Sequence, residues 1–174
     1  GFSIAGQGVL MAVLYGKNLT VGTVLCCLLF LIYGCRLGGY LAIREFGSSS
    51  YKKNMKGEIK EGKSVPFGVK ISIWVTCAAL YVLQVLPVFY RLLNGGGTDG
   101  FCVVGACVMA FGIVFESVSD WQKSKAKKIN PKRFCDTGLF RIVRCPNYFG
   151  EITFWTGIFV SGITTYSTVG QWIT

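Results

Sequence analysis

The sequence predicts an all-α fold: a polytopic helical membrane protein with about five transmembrane segments. Three observations lead there. The chain is 52% hydrophobic with a mean hydropathy of +0.51, and only 15% of its residues are charged. Its apolar residues gather into five stretches, roughly 2–15, 19–35, 71–93, 101–115 and 148–169. No stretch alternates with a period of two, and a sheet that spans lipid must close into a barrel, so strands are not expected. A soluble protein with very apolar core helices is the rival reading. It is the less favoured one, because Ile71 to Tyr90 runs without a charge for the length that crosses a hydrocarbon core of about 30 Å.

The first stretch is marginal in length and reads as the remainder of a longer helix. The second is a full span if it continues past Arg36 toward Leu41. Within it, Arg36 can snorkel to the interface, and Gly34, Gly38 and Gly39 can allow close helix packing. Residues 46–64, FGSSSYKKNMKGEIKEGKS, read as a solvated loop with room for a short surface helix. The third stretch is the clearest span, and NGGGTDG at 94–100 connects it to the fourth. The fourth is again marginal in length. In FESVSDWQKSKAKK, Glu116, Asp120 and Lys123 fall on one helical stripe at spacings of four and three. A carboxylate at mid-bilayer costs about 3 kcal/mol on insertion scales, so Glu116 should face protein or a wet cavity. The simpler reading is a helix end where Glu116 and Asp120 pair with nearby lysines. The fifth stretch opens with Pro146, tolerated in a first turn where its missing N–H costs nothing. Asn147 and Glu151 then share one helix face, with Arg144 just ahead of the helix. With no internal repeat and no low-complexity linker, residues 1–174 read as a single membrane domain. Gly1 stands where an initiator methionine would, so a processed chain or a fragment is expected, and no typical signal peptide is visible.

The net charge is +10. Arg44, Lys52, Lys53, Lys56, Lys60, Lys63 and Lys70 lie in or beside the loop after the second segment. Lys123, Lys125, Lys127, Lys128, Lys132, Arg133, Arg141 and Arg144 lie between the fourth and fifth. One crossing by each of segments three and four puts both loops on the same side, which the positive-inside rule makes cytoplasmic, matrix or stromal. The endoplasmic reticulum or an organellar inner membrane is the expected location. Lysines beside spans serve topology and anionic lipid headgroups, so membrane lipids are expected partners and nucleic acid is not. Of eight cysteines, Cys26, Cys27, Cys35, Cys77, Cys102 and Cys107 sit in apolar segments, where cysteine behaves as a small hydrophobe. Cys135 and Cys145 lie in or beside the basic loop, and no pair has metal-site spacing. No disulfide framework and no metal site is expected. The absence of histidine removes histidine-ligated haem and any Ser-His-Asp mechanism.

GLFRIVRCPNYFGEITFWTG, following ESVSDWQKSKAK with CRLGGYLAIRE upstream, resembles the steroid 5α-reductase C-terminal-like membrane family, in its broad uncharacterised branch. The signature has an acidic residue and Asp-x-Gln-Lys on one helix end, Gly-Leu in a loop, then Arg-His-Pro-Asn-Tyr-x-Gly-Glu and Trp-Gly. It falls here on Glu116, Asp120, Gln122, Lys123, Gly138, Leu139, Arg144, Pro146, Asn147, Tyr148, Gly150, Glu151, Trp155 and Gly157. Sterol reductases and isoprenylcysteine carboxyl methyltransferases look like more distant relatives.

The resemblance implies an NADPH cavity opening at the basic side of a helical bundle. Asn147 and Glu151 would hydrogen-bond the cofactor's amide or ribose, and Glu116 and Asp120 would face them from another helix. Lys123, Arg141 and Arg144 would meet phosphate, helped by the positive end of the last helix. Tyr148 would donate a proton after hydride transfer, with Glu151 as its catalytic neighbour. No GxGxxG fingerprint is present, so a Rossmann site is not implied. Three departures bear on this. Cys145 takes the family's histidine position, the chain stops at Thr174 before the family's last helix, and the amino-terminal substrate-binding helices are not visible. The chain is therefore expected to be part of a longer family fold or a retained fold with another use. The expected function is NADPH-dependent reduction of a sterol or other lipid double bond, by an active or a degenerate reductase. The alternative is a non-catalytic accessory subunit of a large respiratory or photosynthetic membrane complex, packed against other membrane subunits. A methyltransferase using S-adenosylmethionine is a third reading.

Overall fold

The computed structural model describes residues 1–47, 65–130 and 133–173, and among these it holds helices and loops and no strand. Helix α1 spans Phe2–Leu14, α2 Val21–Gly47, α3 Phe67–Leu93 and α4 Gly100–Ile129. A single turn, α5 (Leu139–Ile142), leads into α6 (Pro146–Gly162), and a short α7 (Val169–Ile173) follows. The all-α membrane fold expected from the sequence is the fold observed.

Among the described residues, three helices are long and apolar enough to cross a membrane: Val21–Ile43 of α2, α3 and α4. The 13 residues of α1 and 17 of α6 reach only about 20 and 26 Å at 1.5 Å per residue. The stretch expected at 148–169 breaks because Tyr166 folds back on it. Its hydroxyl donates to the Phe159 carbonyl at 2.9 Å, and the Thr165 hydroxyl donates to the Gly162 carbonyl at 2.8 Å. Conversely, α4 runs well beyond the expected 101–115. Asp99 caps its start, accepting from the Cys102 N–H at 2.8 Å. Its 30 residues span about 45 Å, so Glu116, Asp120 and Lys123 lie inside the helix. Residues 48–64, most of the expected solvated loop and surface helix, lie outside the described residues.

The most extensive helix contact is between α4 and α6, which run antiparallel. Glycines seven apart on each helix build it. A Cβ on Gly105 would lie 2.6 Å from the Gly157 carbonyl oxygen, and one on Gly112 would lie 2.7 Å from that of Gly150. Small residues at these positions let two backbones meet in lipid, where the gain is van der Waals packing rather than exclusion of water. Helix α1 packs against α2, with Gly34 under Ala5. In the core between α2 and α6, Tyr33 stacks on Phe154 with ring centroids 3.9 Å apart and planes 10° off parallel.

The two ends of the bundle are polar in different ways. At one end, three connections knit together around Arg91, whose side chain is fully buried. Its Nε donates to the Ser161 carbonyl at 2.7 Å, and its guanidinium also holds the Gly97 carbonyl, the Thr164 hydroxyl and the Asp99 carboxylate, the last at 3.0 Å. Asn18 donates to the Leu92 carbonyl there, and Asn94 to that of Thr165. Burial pushes the Asp99 carboxyl up, but bonds from Thr164, the Cys102 N–H and Arg91, together with the Arg91 charge, outweigh it and hold Asp99 below the usual range. The carboxy-terminal part of α2, the start of α3, the end of α4 and the start of α6 lie at the opposite end, which carries the basic residues.

Candidate functional site

A buried cluster of charge occupies the bundle toward its basic end. Arg36 of α2 reaches both carboxylates of the α4 stripe. Its Nη1 lies 2.7 Å from Glu116 Oε1, and its Nη2 donates to Asp120. The three side chains are only 17%, 7% and 13% exposed. Arg36 therefore does not snorkel, and the stripe pairs with this arginine from another helix. Two polar atoms beside this triad, Glu116 Oε2 and the Tyr33 hydroxyl, are buried without a hydrogen-bond partner among the described residues. Tyr33 lies within electrostatic reach of Glu116, Glu151, Arg36 and Tyr81.

Glycine packing brings Glu151 to this cluster. A Cβ on Gly150 would lie 2.7 Å from the Glu116 amide nitrogen, so the first turn of α6 rests on the α4 backbone at the carboxylate stripe. Glu151 follows directly, half-buried, and interacts electrostatically with Glu116. Asn147 is half-buried one turn earlier. Glu116, Asp120 and Glu151 thus gather around Arg36 and Tyr33, while Tyr148 is 61% exposed.

Beyond the cluster, the loop before α6 folds over the end of α4. Gly138, at φ +62°, is in the left-handed region and lies against Gln122, whose Oε1 accepts the Leu139 N–H at 2.9 Å. Three of the signature residues thus serve to dock this loop. Arg133 pairs with Asp136 at 2.6 Å, and Lys127 donates to the Arg133 carbonyl at 2.9 Å. Between loop and helix lies a cleft of about 560 Å³ whose polar lining includes Lys123, Lys127, Asp136 and Arg144, with Cys135 and Cys145 beside them. A second cleft of about 470 Å³ lies across Phe134, lined by Gln122, Lys125 and Arg133 among others. Lys123 and Arg144 line the same cleft. Arg141 is exposed and lines neither cleft, and neither do Asn147 and Glu151.

Sequence reasoning missed Tyr33 and undervalued Arg36. Both stand in YGCR at 33–36, three apart and so on one helix face. An arginine within an apolar span is costly unless paired, and that was the available signal. Arg91, one of three basic residues outside the two loops, carried the same signal.

No curated protein and no solved structure matches the chain. A family profile does, over residues 2–174. The chain belongs to the family described as protein of unknown function, DUF1295.

Proposed function

We propose that this chain is the membrane core of an NADPH-dependent reductase acting on a conjugated double bond of a sterol or other lipid. The observation that carries this reading is the partnerless Tyr33 hydroxyl, buried beside Glu116 and Glu151 in a helical bundle. Buried polar atoms almost always have partners. Open hydrogen-bond capacity on a phenol and a carboxylate within electrostatic reach of each other suits a ligand oxygen. The likeness to the steroid 5α-reductase C-terminal-like family, resting on Glu116, Asp120 and the 138–157 block, points the same way.

The residues present fit the cofactor. Lys123, Lys127 and Arg144 give its phosphates three cations in one cleft, of a size usual for ligand sites. The amino-terminal end of α6 adds a positive dipole end nearby. Asn147 and Glu151 offer an amide and a carboxylate for the groups beyond the phosphates. When bound, NADPH supplies a hydride. Tyr33 holds the substrate's carbonyl oxygen and donates the proton that balances the added charge, a role this reading gives it in place of the exposed Tyr148. The Glu116 carboxylate acts on the phenol electrostatically, and Arg36 fixes Glu116 and Asp120. The stacked Phe154 and edge-on Trp155 around Tyr33 exclude water. In this reading the basic end faces the cytoplasm, matrix or stroma, where the nucleotide is.

A subunit role is the second reading. The stretch 66–83 of α3 is exposed throughout except Lys70, leaving an apolar helix surface for another membrane subunit. Purified chain supplied with NADPH and an enone sterol separates the two. Cofactor oxidation that Tyr33→Phe lowers at least a hundredfold, with folding unchanged, supports the reductase. No oxidation with any conjugated lipid supports the subunit.

A further inference from the structure

The end of the bundle opposite the charge cluster holds two thiols that the reading above does not use. Cys26 of α2 and Cys102 of α4 are both fully buried in the same core cluster, and their side chains interact electrostatically. Gly22, one turn before Cys26, creates the approach: a Cβ there would lie 2.5 Å from the Cys102 sulfur. Ser161 of α6, whose hydroxyl donates to the Ile158 carbonyl, approaches Cys26 from a third helix. No other cysteine has this setting. Cys35, Cys77, Cys107 and Cys145 are exposed, Cys135 is half-exposed, and Cys27 is buried one position along from Cys26.

The reacting form of a cysteine is its thiolate. Two features bring positive potential to the Cys102 sulfur. It stands in the first turn of α4, at the positive end of that helix. The buried guanidinium of Arg91 acts on it electrostatically. The opposing charge, Asp99, is itself bonded by Arg91 and Thr164.

We propose that Cys26 and Cys102 are a redox-active dithiol that closes to an inter-helix disulfide with a hydroperoxide as oxidant. The Cys102 sulfur attacks the terminal oxygen of the hydroperoxide and the O–O bond breaks. The departing oxygen takes the Cys102 proton and leaves as an alcohol, or as water from hydrogen peroxide, and Cys102 becomes a sulfenic acid. The Cys26 sulfur then attacks the Cys102 sulfur. The S–S bond forms, the S–O bond breaks, and hydroxide takes the Cys26 proton and leaves as water. One peroxide is reduced by two electrons drawn from two thiols. Full burial restricts the oxidant to a small or membrane-dissolved peroxide. The product ties α2 to the capped start of α4, beside the Arg91 ion pair, and would hold that end of the bundle closed.

The test uses the purified full chain in detergent micelles and does not depend on any nucleotide. The chain is treated with equimolar hydrogen peroxide, denatured with a thiol alkylator present, digested and read by mass spectrometry. The expected product is a Cys26–Cys102 linked peptide, two hydrogens lighter than the reduced pair, with the other six cysteines alkylated. A dimedone probe should trap sulfenic acid on Cys102 in Cys26→Ser and none on Cys26 in Cys102→Ser. Alkylation of both Cys26 and Cys102 at a dose that already sulfenylates Cys107 would overturn the proposal. So would a disulfide joining any other pair. The wild-type result stands by itself if a serine variant does not fold.

Discussion

Replacing Arg36 with Met removes the cation that, among the described residues, touches both Glu116 and Asp120, and keeps an apolar stem of similar length. The two carboxylates are then left 7% and 13% exposed. Breaking a buried ion pair from one side costs about 3–5 kcal/mol, because the stranded charge must be neutralised or hydrated. Two carboxylates lose Arg36 here, but both lie toward the basic end, where water is near. The lower part of that range, about 3 kcal/mol, is the expected loss. Neutralising the carboxylates as well should restore most of it, because replacing a whole buried ion network by neutral groups of similar volume is often close to neutral. Arg36→Met/Glu116→Gln/Asp120→Asn should therefore unfold within about 1 kcal/mol of wild type. The assay is equilibrium unfolding in mixed micelles, followed by tryptophan fluorescence. If Arg36→Met unfolds with wild type, or the triple variant is no more stable than Arg36→Met, the triad is not an interdependent buried network.

Further outcomes follow from the same geometry. Gly112→Ala should cost about 1–3 kcal/mol by overpacking, since its Cβ would lie 2.7 Å from the Gly150 carbonyl oxygen. Gly39→Ala, with nothing within 4 Å, should be neutral or stabilise by up to about 1 kcal/mol through helix propensity; thermal unfolding of the two proteins side by side checks this. Because the Asp99 carboxyl is held below its ordinary value, its contribution is fully present above the unfolded pKa, near 3.9. It is lost as pH falls through the lower, folded value. The stability curve should stay flat with respect to Asp99 from neutral pH to about 5 and fall below about 4. Asp99→Asn should remove that acid slope. A slope that survives in the variant assigns it to another carboxylate.

The fold class and the segregation of the two polar ends were legible because both are written in composition. Charge-free runs such as Ile71–Tyr90 and the clustering of lysines need no tertiary information. Helix ends were less legible. Lipid length alone did not foresee that Tyr166 would turn the chain back at Gly162, or that α4 would continue through a run of lysines to Ile129. In the site, the stripe of Glu116 and Asp120 could be read from helical spacing. Their partner could not, because Arg36 lies some eighty residues earlier and only packing of α2 on α4 brings it there. Tyr33 was hidden for a different reason. In an apolar span, a tyrosine reads as a core aromatic, and its stacking on Phe154 satisfies that reading while its hydroxyl stays open. The glycine pairs at 105/112 and 150/157 were visible as spacings of seven, but which helices they joined was not.

The central claim is that Lys123, Lys127 and Arg144 receive the phosphates of NADPH, and titration of the purified chain with NADPH tests it most directly. Saturable binding is expected. A charge-assisted hydrogen bond contributes about 1.5–3 kcal/mol, so Arg144→Ala should weaken binding about ten- to a hundredfold. Cys145→His, which restores the residue of the resembling family, should leave binding intact or strengthen it. Absence of saturable binding at millimolar cofactor, or equal affinity in Arg144→Ala, would contradict the account.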